Sequence, residues 1–288
     1  MFDRIVVVDW SAANAPKRGG DSIWIADTGG NEPLLNPATR AAAMKRIVRI
    51  IEDTISREQR LFIGFDFAFG YPKGSHGLPG GGEWQAVWTY LHSEIEDDEG
   101  NRSNRFDVAR RLNEGFGKRG PFWGYPHQHH GRYGALPFRR PDYEALGVRE
   151  RRYVDAAAKA ASPPWKLSFT GSVGSQALTG IARLEELRGR FGSNVAVWPF
   201  ETSFADDLSA SVILAEIYPS LWEADLELHR VKDACQVMTL AQGFRRGCEA
   251  GRMMEMLQGP ATEGDGVRSA ALTHEGWMVG FTDRRVDL

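Results

Sequence analysis

Four acidic residues lie at the ends of buried segments of the sequence. Asp9 ends the first predicted strand and Asp66 the fourth, Glu216 lies near the end of a late strand, and Asp233 opens the last long helix. Acids at strand ends of an open sheet converge on the crevice outside the sheet edge, where ligands bind in such folds. Hard oxygen ligands in this number suit Mg²⁺ or Mn²⁺. Alternatively each acid is a helix cap or a solvated strand end, but the matching ends of the first and fourth strands favour a shared site.

Hydrophobic patterning predicts the elements that position these acids. Apolar runs over 5–9, 22–27 and 61–66 are typical of buried strands, and the turn at 28–31 indicates another strand after it. Between them, residues 37–55 carry apolar side chains at helical spacing. Two or three antiparallel strands followed by a helix and a buried strand predict a mixed sheet with a helical face.

Residues 70–165 depart from this pattern and are rich in Gly, Pro, Trp, His and Arg. We interpret them as an insertion with helices near 83–96 and 105–114. After it, the sequence predicts a helix over 174–190, strands over 195–200 and 211–218, and a long helix over 231–257. The fold class expected is therefore α/β, with one domain over 1–288 and the insertion within it.

The composition excludes several classes of protein. The 288 residues are 42% hydrophobic and 25% charged, which argues against disordered, collagen-like and disulfide-scaffold sequences. A net charge of −3 provides no general positive field for nucleic acid. Neither a membrane-spanning run nor a signal-peptide pattern is found, so we expect a cytoplasmic protein with no membrane partner. Cys235 and Cys248 fall on opposite sides of one predicted helix, too far apart to pair.

Five short motifs follow one another along the chain: VDWS at 8–11, IGFDFAFGYP at 63–72, RFDVARRL at 105–112, EIYP at 216–219 and KDA at 232–234. In this order they resemble the motifs of the DUF429 family, predicted nucleases with a ribonuclease H-like fold. The resemblance implies a ribonuclease H-like mixed sheet flanked by helices, with the first three strands antiparallel. It also implies that Asp9, Asp66, Glu216 and Asp233 act as catalytic residues that bind Mg²⁺ or Mn²⁺.

The resemblance further implies that the helix of the third motif folds over the sheet edge. Arg105 or Arg110 would then bind a substrate phosphate, and Asp107 would orient the arginine or join the metal shell. Two departures from the family pattern are Trp10-Ser11 after the first acid, and GSVGS at 171–175 followed by WPFE at 198–201. With these motifs the sequence resembles a bacterial subgroup of the family, some members of which are linked to molybdopterin-guanine dinucleotide synthesis.

The expected reaction is hydrolysis of a phosphodiester bond in nucleic acid or a nucleotide-like substrate. Two ions about 3.5–4 Å apart can activate water and stabilise the leaving oxygen without a nucleophilic side chain. Ser172 precedes a predicted helix whose N-terminus is suited to an anion, although this glycine-rich segment is equally compatible with a turn.

Two other segments have alternative interpretations. The tract 127–130, His-Gln-His-His, has the composition of a metal site, but a solvated or base-stacking aromatic loop is an alternative. Between 132 and 152 six arginines face three acids, which indicates either phosphate attraction or a solvated charged surface.

Two other functions use the same residues. In an actin-like kinase or ATPase, Asp9 and the hairpin that starts at Ser11 would face nucleotide phosphates. In a non-catalytic binding protein linked to molybdopterin cofactor metabolism, the acids would be structural caps. ATP turnover distinguishes the first alternative, and failure to bind Mn²⁺ distinguishes the second.

Overall fold

The computed structural model describes residues 1–117, 119–129, 131–158, 161–260, 266–282 and 286–288. Over this part of the chain the fold is α/β, with one six-stranded mixed sheet in the order β3-β2-β1-β4-β6-β5. The strands are β1 (Arg4–Asp9), β2 (Trp24–Asp27), β3 (Leu34–Leu35), β4 (Leu61–Phe65), β5 (Val195–Val197) and β6 (Val212–Glu216). β2 is antiparallel to both β1 and β3, whereas β1, β4, β6 and β5 are mutually parallel.

Helices flank the sheet on both faces. In chain order they are α1 (Arg40–Ser56), α2 (Trp84–Glu94), α3 (Arg105–Glu114), α4 (Tyr143–Leu146), α5 (Tyr153–Ala157), α6 (Gly174–Phe191), α7 (Lys232–Glu249), α8 (Met253–Met256) and α9 (Val267–Ala270). α1 begins three residues later than its apolar spacing predicts, because the Thr39 hydroxyl oxygen accepts a hydrogen bond from Ala42 N (3.2 Å) and caps the helix.

Strand alternation divides the core into two halves. Val6 and Val8 pack with α1, α2, α3 and α6 on one face, and Ile5 and Val7 pack with α7 and α8 on the other. Buried residues of 70–165 belong mainly to the first half, so this segment extends that half of the core.

Several predicted elements are shorter than the sequence indicated, and two of them end at an identifiable turn. The single helix predicted over 231–257 is wrong, because α7 ends at Glu249 and α8 follows after Gly251. Gly251 has a φ of +75°, a conformation that glycine adopts at little cost and that ends a helix. The strand predicted over 195–200 ends at Val197, where the chain turns and Glu201 N donates to Val197 O (2.8 Å).

The two cysteines, Cys235 and Cys248, both lie on α7 and form no disulfide, as predicted. Among the described residues, no helix has the length and apolar character required to cross a membrane.

Candidate functional site

Asp9 and Asp66 lie side by side at the carboxyl edge of the sheet. Their strands, β1 and β4, are parallel neighbours in which Val8 pairs with Phe65. Asp9 follows Val8 and Asp66 follows Phe65, so the two aspartates come next to each other. The Asp66 Oδ1 atom accepts a hydrogen bond from Trp10 N (2.7 Å), which fixes this carboxylate against the end of β1. The predicted convergence of these two strand-end acids is therefore seen in the structure.

The electrostatics of this pair are unusual. The pKa of Asp9 lies well above its usual range. Burial is the largest cause, and repulsion from Asp66 and Asp233 is the next. Burial also raises the pKa of Asp66 to about 6, although hydrogen bonds from Trp10 N and from the Asp9 carboxyl oppose this shift. Both carboxyl groups therefore hold a proton at a higher pH than an exposed aspartate does.

Asp233 approaches the pair from the first turn of α7. Asp9 lies on the same sheet face as Ile5 and Val7, and α7 covers that face. Asp233 Oδ2 accepts a hydrogen bond from Asp21 N (2.7 Å), which ties the start of α7 to the segment before β2. Within the described part of the chain, neither Asp9, Asp66 nor Asp233 forms an ion pair; we call these three residues the Asp9 cluster.

Glu216 lies at the same edge but in a different environment. It ends β6 level with Phe65, and alternation places it with Val212 and Leu214 on the face opposite Asp9. Its carboxylate accepts hydrogen bonds from Phe69 N (3.0 Å) and from both terminal nitrogens of Arg152 (2.6 and 2.7 Å).

Arg152 is fully occupied by these contacts. Its remaining donors bind both carboxylate oxygens of Asp155 (2.8 and 3.0 Å) and Glu275 O (2.8 Å), so all five N–H groups have acceptors. Burial raises the pKa of Glu216, an effect that its ion pair with Arg152 opposes. We call Arg152, Asp155 and Glu216 the Arg152 cluster; it holds the turn after Asp66 through Phe69 N.

Two cavities meet at Asp9. The smaller, of about 280 Å³, is lined by residues that include Asp9, Asp66, Arg152 and Glu216. The larger, of about 600 Å³, is lined by residues that include Asp9, Asp233, Arg105, Ser11 and Phe169. Both share the wall formed by Gly171, Ser172 and Gln176. Asp9 therefore lies where the two cavities meet, with Asp66 on the side of the smaller cavity and Asp233 on the side of the larger one.

The predicted substrate-binding residues separate into two groups. Arg105, Ser11 and Ser172 line the larger cavity, whereas Asp107 and Arg110 line neither cavity. α3 has the bounds predicted for it, but Arg110 forms its ion pair with Glu114, one turn further along the helix, rather than with Asp107.

The histidine tract and the basic stretch lie outside this cleft. His127 and His129 form a short 3-10 turn and pack against the rings of Phe138 and Tyr133, and His130 lies outside the described residues. Of the arginines between 132 and 152, three are paired with acids: Arg140 with Glu150, Arg149 with Glu275, and Arg152 as above.

Sequence reasoning did not identify Asp21, Gln176 and Arg152. Asp21 adds a further negative charge near Asp9, and Gln176 Nε2 donates to Trp10 O (2.5 Å) at the cavity wall. Alternation along β6 shows which residues share a face with Glu216, but its separation from Asp9 depends on the register between strands. Arg152 has no local signal, since it reaches the sheet from the segment 70–165.

No family model, curated protein or solved structure matches this chain. Function is therefore inferred from the chemistry of the cleft.

The donors at the cleft fit a divalent cation. Among the described residues no three His, Cys, Asp or Glu side chains are grouped closely enough to hold a metal ion as they stand. Mg²⁺, however, is usually held by one or two carboxylates together with waters and substrate phosphate. Asp9 and Asp66 supply two adjacent carboxylates, and neither has a cationic partner among the described residues. Two such carboxylates are the protein ligands that a Mg²⁺ ion of this kind needs.

Proposed function

We propose that this protein is a divalent-metal-dependent phosphodiesterase or nuclease whose active site is the Asp9 cluster. The observation that carries the proposal is a set of three acids without an ion-pair partner in the described residues: Asp9 lines both cavities, Asp66 the smaller and Asp233 the larger. Closely spaced, half-buried carboxylates of like charge are costly unless a proton or a cation neutralises them. Binding a divalent ion removes this cost.

The arrangement of strands supports a ribonuclease H-like fold for this site. The first three strands are antiparallel, and β4 lies parallel to β1 on its other side. The resemblance to the DUF429 family implies these directions, and it implies acids on the first strand, on the fourth strand and on the last long helix. Asp9, Asp66 and Asp233 occupy those three positions.

Asp9 and Asp66 would hold one ion directly, and Asp233 would bind through water or a second ion. When bound, the metal supplies an activated water and stabilises charge on the leaving oxygen. The protein contributes orientation: Trp10 N fixes the Asp66 carboxylate, and Glu216 fixes the following turn through Phe69 N. Ser172 and Gln176, which line both cavities, would position the substrate across the acids.

Hydrolysis of bis(p-nitrophenyl) phosphate, a generic phosphodiester, tests the proposal. We expect release of p-nitrophenolate with Mn²⁺ or Mg²⁺ and none with EDTA. Asp9→Asn and Asp66→Asn keep the shape of each side chain but remove a ligand charge, so each should lower the rate by about 100-fold or more. Asp206→Asn is the matched control, because Asp206 is exposed and lines neither cavity.

Hydrolysis that persists in EDTA, or at equal rates in all three variants, contradicts the proposal. The alternative is a non-catalytic binding protein in which the acids are structural caps. That alternative predicts no turnover by the unmodified protein even when Mn²⁺ is saturating.

A further inference from the structure

We propose that the larger cavity is a binding site for a nucleoside phosphate, with the phosphate at Arg105 and the start of α6 and the base stacked on Phe169. This inference rests on the proposed function and deepens it by naming the substrate class. Asp9 and Asp233 line the same cavity, so a phosphate held there lies beside the metal-binding acids.

Arg105 is a buried cation without a counter-ion. Its side chain is only 6% exposed, and within the described residues it forms no ion pair. Nε donates to Ser175 Oγ (2.9 Å), Nη1 donates to Ser103 Oγ (2.9 Å) and to Asn14 Oδ1, and Nη2 donates to no described atom. Burial and the neighbouring Arg40 lower the pKa of Arg105 to about 10, so it stays charged at neutral pH.

A buried charge without a partner is costly. Arg105 lines the cavity, its Nη2 donors are unused within the described residues, and a guanidinium can donate two parallel hydrogen bonds to one phosphate. An anion in the cavity would therefore complete the environment of this side chain.

The N-terminus of α6 lies beside this guanidinium. α6 has 18 residues, and its N-cap residue, Val173, provides no side-chain acceptor. The backbone N–H groups of Ser175 and Gln176 have no acceptor in the described part of the chain, and both residues line the cavity. Free N–H groups at a helix N-terminus attract phosphate. Because Arg105 Nε binds Ser175 Oγ, the two anion-binding features converge on one place.

Phe169 provides an apolar surface at the cavity wall. It is 47% exposed and has a φ of +77°, which is unfavourable for a bulky side chain. The ring rests against Phe138 with a centroid distance of 5.4 Å and an interplanar angle of 84°, and it lies 6.4 Å from Trp123. These contacts hold the ring at the cavity wall, where an aromatic base can stack on it.

Charge and size favour the larger cavity over the smaller one for this ligand. Arg152 is the cation that lines the smaller cavity, and its five donors are already used. The volume of about 600 Å³ is within the usual range for small-ligand sites. The phosphate of a substrate would thus bind on the Arg105 side of the acids.

Calorimetry with AMP, inorganic phosphate and adenosine tests the site in the full-length protein. We expect AMP to bind more tightly than either fragment. Phe169→Leu should weaken AMP binding by about tenfold through loss of stacking and leave phosphate binding unchanged. Arg105→Lys should weaken both AMP and phosphate by about tenfold, because lysine lacks the planar fork. Phe191→Leu and Arg190→Lys, at the opposite end of α6, are the matched controls.

Titrations with and without Mn²⁺ separate this inference from the proposed function. Failure to bind Mn²⁺, with AMP still bound at Arg105 and Phe169, overturns the metal-dependent activity and supports the nucleotide site. Tighter binding of a tetranucleotide than of AMP identifies a strand end as the ligand, and equal binding identifies a free nucleotide; both support the site.

The inference is overturned if AMP binds no more tightly than phosphate and adenosine, or if both variants bind AMP as the unmodified protein does. If Arg105→Lys shows no cooperative melting transition, this variant is not folded. The Phe169→Leu variant and the comparison of AMP, phosphate and adenosine then decide whether the cavity binds a nucleoside phosphate.

Discussion

The Asp9 cluster and the Arg152 cluster lie at the same edge of one sheet but differ in how their acids are neutralised. Glu216 and Asp155 share an arginine whose five N–H donors are all used. Asp9 and Asp66 have no such partner among the described residues: repulsion between acids adds to burial in raising the pKa of Asp9, whereas the ion pair with Arg152 opposes the rise in the pKa of Glu216. A saturated ion network holds backbone in place, whereas unneutralised acids are stabilised only by a proton or by a bound cation. The difference separates a structural cluster from a binding cluster.

The largest expected effect on stability comes from removing the arginine of the Arg152 cluster. Arg152→Met leaves Glu216 and Asp155 buried without a cation, and we expect a loss of about 3–5 kcal/mol in the free energy of unfolding. Urea unfolding measures it. Arg140→Met is the matched control, because Arg140 pairs with Glu150 at the surface and should contribute about 1 kcal/mol or less. Equal losses in the two variants would show that the Arg152 cluster is not structural.

A smaller effect of opposite sign is expected from Asp9→Asn. Because the folded-state pKa values of Asp9 and Asp66 lie above their unfolded values, the folded protein binds extra protons, and its stability falls as pH rises through this range. Removing one charge should therefore raise the melting temperature in EDTA at about pH 8, and by less at about pH 5. A melting temperature that is lowered at about pH 8, or a gain that is larger at about pH 5, contradicts repulsion within the Asp9 cluster.

The sequence was informative where the signal is local. Apolar runs ending in an acid located Asp9 and Asp66, and helical spacing located α3 over the bounds that the structure has. The partner of Glu216 was not predictable, because Arg152 lies 64 residues earlier in a segment without hydrophobic periodicity. Asp21 approaches α7 only through the tertiary fold, since its contact with Asp233 spans 212 residues.

The helix break and the face of Glu216 differ in how far the sequence reports them. Gly251 lies between two helical patterns, so the end of α7 is a local signal. Val212, Leu214 and Glu216 share one face of β6, but only the pairing of Phe65 with Glu216 places that face opposite Asp9. The register between strands is set by the tertiary fold.

Mn²⁺ calorimetry on Asp66→Asn and Glu216→Gln tests the contrast between the two clusters most directly. Each substitution removes one negative charge at the same sheet edge and keeps the size of the side chain. If the Asp9 cluster is the metal site, Asp66→Asn should weaken Mn²⁺ binding by about tenfold or more, and Glu216→Gln should change it by less than about twofold. Equal weakening in both variants, or no binding of Mn²⁺ by the unmodified protein, would contradict the assignment.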